Sequence, residues 1–138
     1  MIAIGELSRR TGVKVPTIRF YEQSGLLPEP PRTESGRRLY SVDDERRLAF
    51  IRHARDLGFE MDALRALLDL SDHPDMSCEE ADVIARAHLA AVETKIRQLT
   101  ALKAELKRMV AGCAHGQVST CRVIEALADH GQCASGHR

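Results

Sequence analysis

Tryptophan is absent and aromatic residues make up only 4% of the chain, so the core is expected to come from Leu, Ile, Val and Ala on helices. No apolar run approaches the roughly 18 residues of a membrane span, and no membrane partner is expected. A secretory leader is not expected either, because Met1 runs directly into a short amphipathic segment with Glu6, Arg9 and Arg10. These absences make a cytoplasmic location the expectation, where thiols stay reduced and grouped cysteines point to metal or redox chemistry. No nucleophile–base pair or phosphate-cradling glycine loop stands out, so an enzyme is not expected. Cysteine is missing from the first half: Cys78, Cys113, Cys121 and Cys133 are all in the second. Proline and glycine are missing from residues 79–111.

What is present divides by charge. The net formal charge is zero, yet residues 1–55 hold 11 Lys+Arg against 7 Asp+Glu, and residues 56–138 hold 9 against 13. A basic N-terminal half is the electrostatic footprint of a nucleic-acid-binding module. Its pattern reads as two short helices, residues 4–11 and about 15–22, joined by a turn at Gly12, with Pro16 suited to the first turn of the second. Ile18 and Tyr21 face inward or partly inward, whereas Lys14, Thr17 and Arg19 face outward. Such a pair is a helix-turn-helix, whose second helix fits a major groove. Gly25 and the prolines at 28, 30 and 31 stop the helix. The stretch from Arg32 to Tyr40 turns at Ser35-Gly36 and is expected to form a small hairpin, a wing with arginines at its tip for phosphates. Ser41 with Asp44 resembles an N-terminal cap for a helix reaching about Leu57, and Met61 to Leu70 gives another.

Residues 79–111 carry apolar side chains at Leu89, Val92, Ile96, Leu99, Leu102, Leu106 and Met109/Val110, in steps of three and four. That is a coiled-coil seam. A helix of that length, about 50 Å, exceeds what one small domain can bury, so self-association is expected to cover it. Cys78 and Cys113 stand at its two ends, too far apart to share an ion within one chain. They meet only if two chains pair antiparallel, each Cys78 beside the partner subunit's thiols at 113 and 121. Cys113 and Cys121 have seven residues between them, with His115 in the same loop, and thiolate donors suit zinc and softer ions. Residues 122–129 read as a short amphipathic lid. The tail with His130, Cys133 and His137 is expected to be mobile, with Cys133 an auxiliary donor.

The strings Thr17-Ile-Arg-Phe-Tyr-Glu22, Gly25-Leu-Leu-Pro28, Arg32, Gly36-Arg-Arg-Leu-Tyr40 and Phe50-Ile-Arg-His-Ala-Arg-Asp-Leu-Gly-Phe59 resemble the mercury-resistance-regulator (MerR) family. The resemblance extends over nearly the whole chain. It implies a mainly α fold: a winged helix-turn-helix DNA-binding domain, a long antiparallel coiled-coil dimerisation helix and a C-terminal metal-binding loop. The corresponding segments are 1–70, a linker 71–78, the helix 79–111, the loop and short helix 112–129, and the tail 130–138. By the same resemblance Arg19, Tyr21 and Arg38 contact DNA, with Lys14, Thr17, Arg32 and Tyr40 as neighbours. Arg37 replaces the aromatic residue that many relatives carry in the wing, exchanging a stacking contact for a phosphate contact.

The resemblance also bears on the ion. Family sensors of divalent metals look like this chain in having cysteine at the start of the dimerisation helix, whereas copper(I), silver(I) and gold(I) sensors typically have serine. The expected site is therefore Cys78 from the partner subunit with Cys113, Cys121 and, less firmly, His115. Zinc is preferred, then cadmium or lead, and mercury stays among the candidates. The implied partners are double-stranded promoter DNA, a second copy of the chain, and RNA polymerase at a promoter activated by DNA distortion. A copper(I) sensor of the same fold, an iron–sulfur redox sensor and a metal-buffering protein are the rival readings.

Overall fold

A computed structural model describes residues 1–112, 116–118 and 121–128. The described residues form six helices: α1 (Ile4–Thr11), α2 (Val15–Gln23), α3 (Val42–Asp56), α4 (Met61–Ser71), α5 (Glu79–Ala111) and α6 (Arg122–Ala128). Two compact units divide the chain, residues 1–84 and 85–138, with α5 beginning in the first and continuing into the second.

In the first unit the core is aliphatic, as the composition implies. Leu7, Ile18, Leu26, Leu27, Leu48, Ile51, Leu64 and Leu68 are buried, joined by Val13, Ala54, Tyr21 and Tyr40. α1 packs on both α2 and α3, and α3 on α4. Each short helix is too short to persist alone in water, so its existence depends on this shared core. The turn between α1 and α2 is built from the buried Thr11, whose hydroxyl donates to the Leu7 carbonyl at 2.8 Å and accepts from the Val13 amide at 3.3 Å. Gly12 ends α1 in the left-handed region (φ 74°), where its amide donates to the Ser8 carbonyl. A side chain at that position would also collide with the Arg52 guanidinium, which donates to the Thr11 carbonyl.

α3 starts with a reciprocal cap: the Asp44 amide donates to Ser41 Oγ at 3.2 Å, and the Ser41 amide donates to Asp44 Oδ2 at 2.9 Å. The wing departs from the expected hairpin. No strand forms among the described residues; isolated bridges pair Arg32 with Arg38 and Ile2 with Tyr40. The tip is a turn in which Gly36 (φ 86°) donates to the Thr33 carbonyl, and Thr33 donates to the Arg37 carbonyl at 2.8 Å. The prolines at 30 and 31 withhold amide donors on one arm, which leaves too few pairs for a continuous ladder.

In the second unit α5 buries no residue. Leu89, Ile96, Leu99, Leu106 and Val110 are exposed along the expected seam. α6 lies against the last turns of α5, with Arg108 and Met109 opposite Arg122 and Glu125 around a cavity of about 140 Å³.

Truncating Leu48, which is fully buried, to Ala should cost about 2–5 kcal/mol. Ser41→Ala should cost about 1 kcal/mol through loss of the cap. Urea denaturation of both variants checks the order, and a Ser41→Ala loss equal to that of Leu48→Ala would contradict it.

Candidate DNA interface and thiol ligands

The recognition surface starts with α2. Lys14 is its N-cap and Pro16 lies in its first turn. Lys14 and Arg19 are exposed and Thr17 is half-buried. Phe20, which sequence reasoning passed over, is 52% exposed on the same helix, its ring 5.9 Å from that of Tyr21. An apolar ring open to water on a recognition helix was the signal available for it. Tyr21 and Tyr40 are placed differently from the other named residues: Tyr21 is 7% exposed and Tyr40 has no exposed surface. Both belong to the core.

Tyr40 is inward because the arm after the wing tip is pinned to the N-terminus. The Ile2 amide donates to the Tyr40 carbonyl at 2.9 Å and the Tyr40 amide to the Ile2 carbonyl at 2.8 Å. Residues two apart on an extended segment share a face, so Arg38 and Tyr40 turn to the same side. They meet Glu22 there, from the last turn of α2. The Tyr40 hydroxyl donates to Glu22 Oε2 at 2.9 Å and lies 3.2 Å from Oε1, while Arg38 Nε stands 3.7 Å from Oε1. The Glu22 side chain is 7% exposed. Burial, the hydrogen bond to Glu22 and the charge of Glu22 raise the Tyr40 hydroxyl well above its ordinary value of 10.0, against the opposing charges of Arg38 and Arg19. Thus Arg38 and Tyr40 converge on one carboxylate. Arg32 and Arg37 stay exposed, with Arg32 Nη1 donating to the Gly36 carbonyl at 2.9 Å and so bracing the wing tip.

Other arginines serve the scaffold. Arg47 Nε donates to the Leu26 carbonyl at 2.6 Å and its Nη1 pairs with Asp72 at 2.9 Å. Arg65 Nη1 donates to the Ser24 carbonyl at 2.6 Å. With Arg52 on Thr11, guanidiniums from α3 and α4 hold the backbone on both sides of α2. The charge excess of the first half is therefore only partly available to a polyanion.

The thiols are in separate places. Cys78 is exposed immediately before α5, where its carbonyl accepts the Asp82 amide at 3.0 Å. It belongs to the first compact unit and borders a groove of about 380 Å³ with Phe50, Leu67, Leu70, His73 and Met76. Cys121 is half-buried just before α6, and its carbonyl accepts the Glu125 amide at 2.9 Å. Cys113, His115 and Cys133 lie outside the described residues. Among the described residues no three His, Cys, Asp or Glu side chains cluster as a metal site. The ends of the thiol loop do meet: a Cβ on Gly112 would fall 3.0 Å from Arg122 Cγ.

Residues 2–71 match the MerR HTH family regulatory protein model, and residues 45–109 match the model described as MerR, DNA binding. The chain belongs to the MerR family. Among its MerR relatives, the HTH-type transcriptional regulator ZntR of Escherichia coli K12 is 40% identical over 131 residues, covering 92% of each chain. Heavy metal-dependent transcription regulator 2 of Rhizobium meliloti is 36% identical, covering 91% of this chain and 86% of its own. The crystal structure of PbrR691 from Ralstonia metallidurans CH34 in complex with lead(II) superposes with a TM-score of 0.80 at 40% identity, covering 92% of this chain and 99% of that one. These MerR relatives are transcriptional regulators rather than enzymes, and the mainly helical fold is theirs. No helix among the described residues is long and apolar enough to cross a membrane.

Since the Tyr40 hydroxyl is raised in the folded state, its contribution is present below about pH 10, the unfolded tyrosine value, and is lost as pH rises beyond it. Unfolding free energy should therefore fall above about pH 10. Tyr40→Phe should flatten that fall and cost about 1–3 kcal/mol at neutral pH by stripping a buried carboxylate of its donor. Urea melts from neutral to alkaline pH check both, and identical alkaline slopes would contradict the assignment.

Proposed function

We propose that the chain is a homodimeric, metal-responsive regulator that binds promoter DNA and activates a metal-resistance promoter. The observation that carries this reading is that Cys78 lies inside the same compact unit as the helix-turn-helix. A ligand held there acts on the DNA-binding unit directly. The contact between Gly112 and Arg122 supports the second half of the site, because these residues immediately flank Cys113 and Cys121 in sequence. Both thiols are thus covalently joined to residues that lie close together. Three thiolates from Cys78 of one subunit and Cys113 and Cys121 of the other, with His115 as a further donor, suit a divalent thiophilic ion.

A bound divalent ion would supply the charge that holds thiolates of two chains together. The remaining work belongs to the protein. The uncovered stripe of α5 supports pairing of two copies, and an antiparallel arrangement brings each Cys78 to the partner's loop. Lys14, Thr17 and Arg19 on α2, with Arg32, Arg37 and Arg38 in the wing, face the operator; Tyr21 and Tyr40 contribute from beneath. A dimer with two arrangements of its DNA-binding units changes the bend and twist of the bound duplex. Promoter elements set too far apart then come within reach of RNA polymerase. Zinc is the expected inducer. Lead(II) is the rival that the lead complex of the 40% identical relative supports, and cadmium follows the same chemistry.

Cys78→Ser, Cys113→Ser and Cys121→Ser should each keep operator affinity within about threefold, a change below about 0.7 kcal/mol. Each should abolish induction in a promoter-reporter titration across Zn²⁺, Cd²⁺, Pb²⁺, Hg²⁺ and Cu⁺. Full induction by the Cys78→Ser variant would remove the intersubunit site. A response confined to Cu⁺ would replace the divalent assignment.

A further inference from the structure

We propose that Glu22 is a positioning residue for DNA binding: buried under the wing, it holds Arg38 in place to meet a backbone phosphate. The inference rests on the reading of the chain as a DNA-binding regulator and adds a residue that makes no DNA contact itself.

A carboxylate only 7% exposed is costly to keep unless it is bonded and paired. Glu22 has both partners from the wing segment, the Tyr40 hydroxyl at 2.9 Å and Arg38 at 3.7 Å. No helix-stabilising role explains an acid in this place, since the C-terminal end of a helix disfavours negative charge. Arg38 is held on one edge only. Its Nε is buried without a hydrogen-bond partner, while 27% of its side chain stays open to solvent. An inward edge fixed by charge and an outward remainder is the arrangement that presents a guanidinium to an incoming anion. Without Glu22, the buried edge of Arg38 would have no negative charge beside it.

The order of support runs inward to outward. Ile2 fixes the Tyr40 backbone, Tyr40 fixes the Glu22 carboxylate, and Glu22 fixes the wing arginine against the recognition helix. This links α2 and the wing, with Glu22 and Arg38 16 positions apart, so that helix and wing reach the duplex in one geometry.

The test uses the full-length protein and two labelled duplexes, one selected from a random pool by the wild-type chain and one of random sequence. Affinity is measured by fluorescence anisotropy across a salt series. Arg38→Gln should reduce the salt slope by about 0.9, the value for one lost phosphate contact. Glu22→Gln, which keeps an acceptor for Tyr40 but loses the charge, should reduce the slope by a similar amount. The Glu22→Gln/Arg38→Gln double variant should bind no more weakly than Arg38→Gln alone, and Glu22→Asp should recover part of the slope. Simple destabilisation would lower the active fraction without changing the slope, and thermal melts of each variant report it separately. Full slope in Glu22→Gln beside a reduced slope in Arg38→Gln would overturn the role of Glu22 while leaving the DNA-binding reading intact. An unchanged slope in Arg38→Gln would overturn the proposal through its phosphate contact. No binding to either duplex by the wild-type chain would overturn both readings.

Discussion

Guanidiniums that donate to main-chain carbonyls fix the recognition helix in this protein. α1 and α2 have eight and nine residues, lengths at which helices in water are marginal. Their hydrophobic faces supply part of the answer by packing on α3. The remainder is a set of long-range hydrogen bonds: Arg52 to Thr11 before α2, Arg65 to Ser24 and Arg47 to Leu26 after it. Each satisfies a carbonyl at or just beyond a helix end, where the regular pattern leaves acceptors unmet. Because the donors stand on α3 and α4, the orientation of α2 is set by the helices behind it. The wing, the capping box and the Tyr40–Glu22–Arg38 cluster are arranged around that fixed helix.

The functional surface is consequently a mixture of two kinds of charge. Arg47, Arg52 and Arg65 look inward to the backbone, whereas Arg19, Arg32 and Arg37 look outward. Arg38 belongs to both groups, with its Nε buried beside Glu22 and part of its side chain in water. A tally of basic residues treats all of these alike. The field that a polyanion meets comes from the outward group.

Helix positions were largely legible in the residues. The seam from Leu89 to Val110, the proline- and glycine-free stretch and the stops at Gly12 and Gly58 express local rules, and local rules survive folding. The cap at Ser41 and Asp44 was readable for the same reason. The wing was harder, since whether two short arms form a ladder depends on amide donors that Pro30 and Pro31 cannot provide. Tyr40 followed an arginine-rich turn and resembled a surface residue; its pairing with Ile2, 38 positions earlier, turned it into the core. Glu22 and the carbonyl-holding arginines are defined by partners 16 to 41 positions away, and no periodicity encodes such distances. The order of thiols along the chain was visible, but the site proposed for them requires a second copy.

With the proposed pairing, α5 would make the chain depend on its own abundance. A helix of 33 residues with no buried side chain is held by intrinsic helix propensity until another surface covers its stripe. Copies left uncovered expose that stripe to proteases each time a turn opens, and degradation follows the population of open forms. Turnover would then remove unassembled copies first. The lifetime of the protein in a cell would then be a readout of how completely its long helix has been covered.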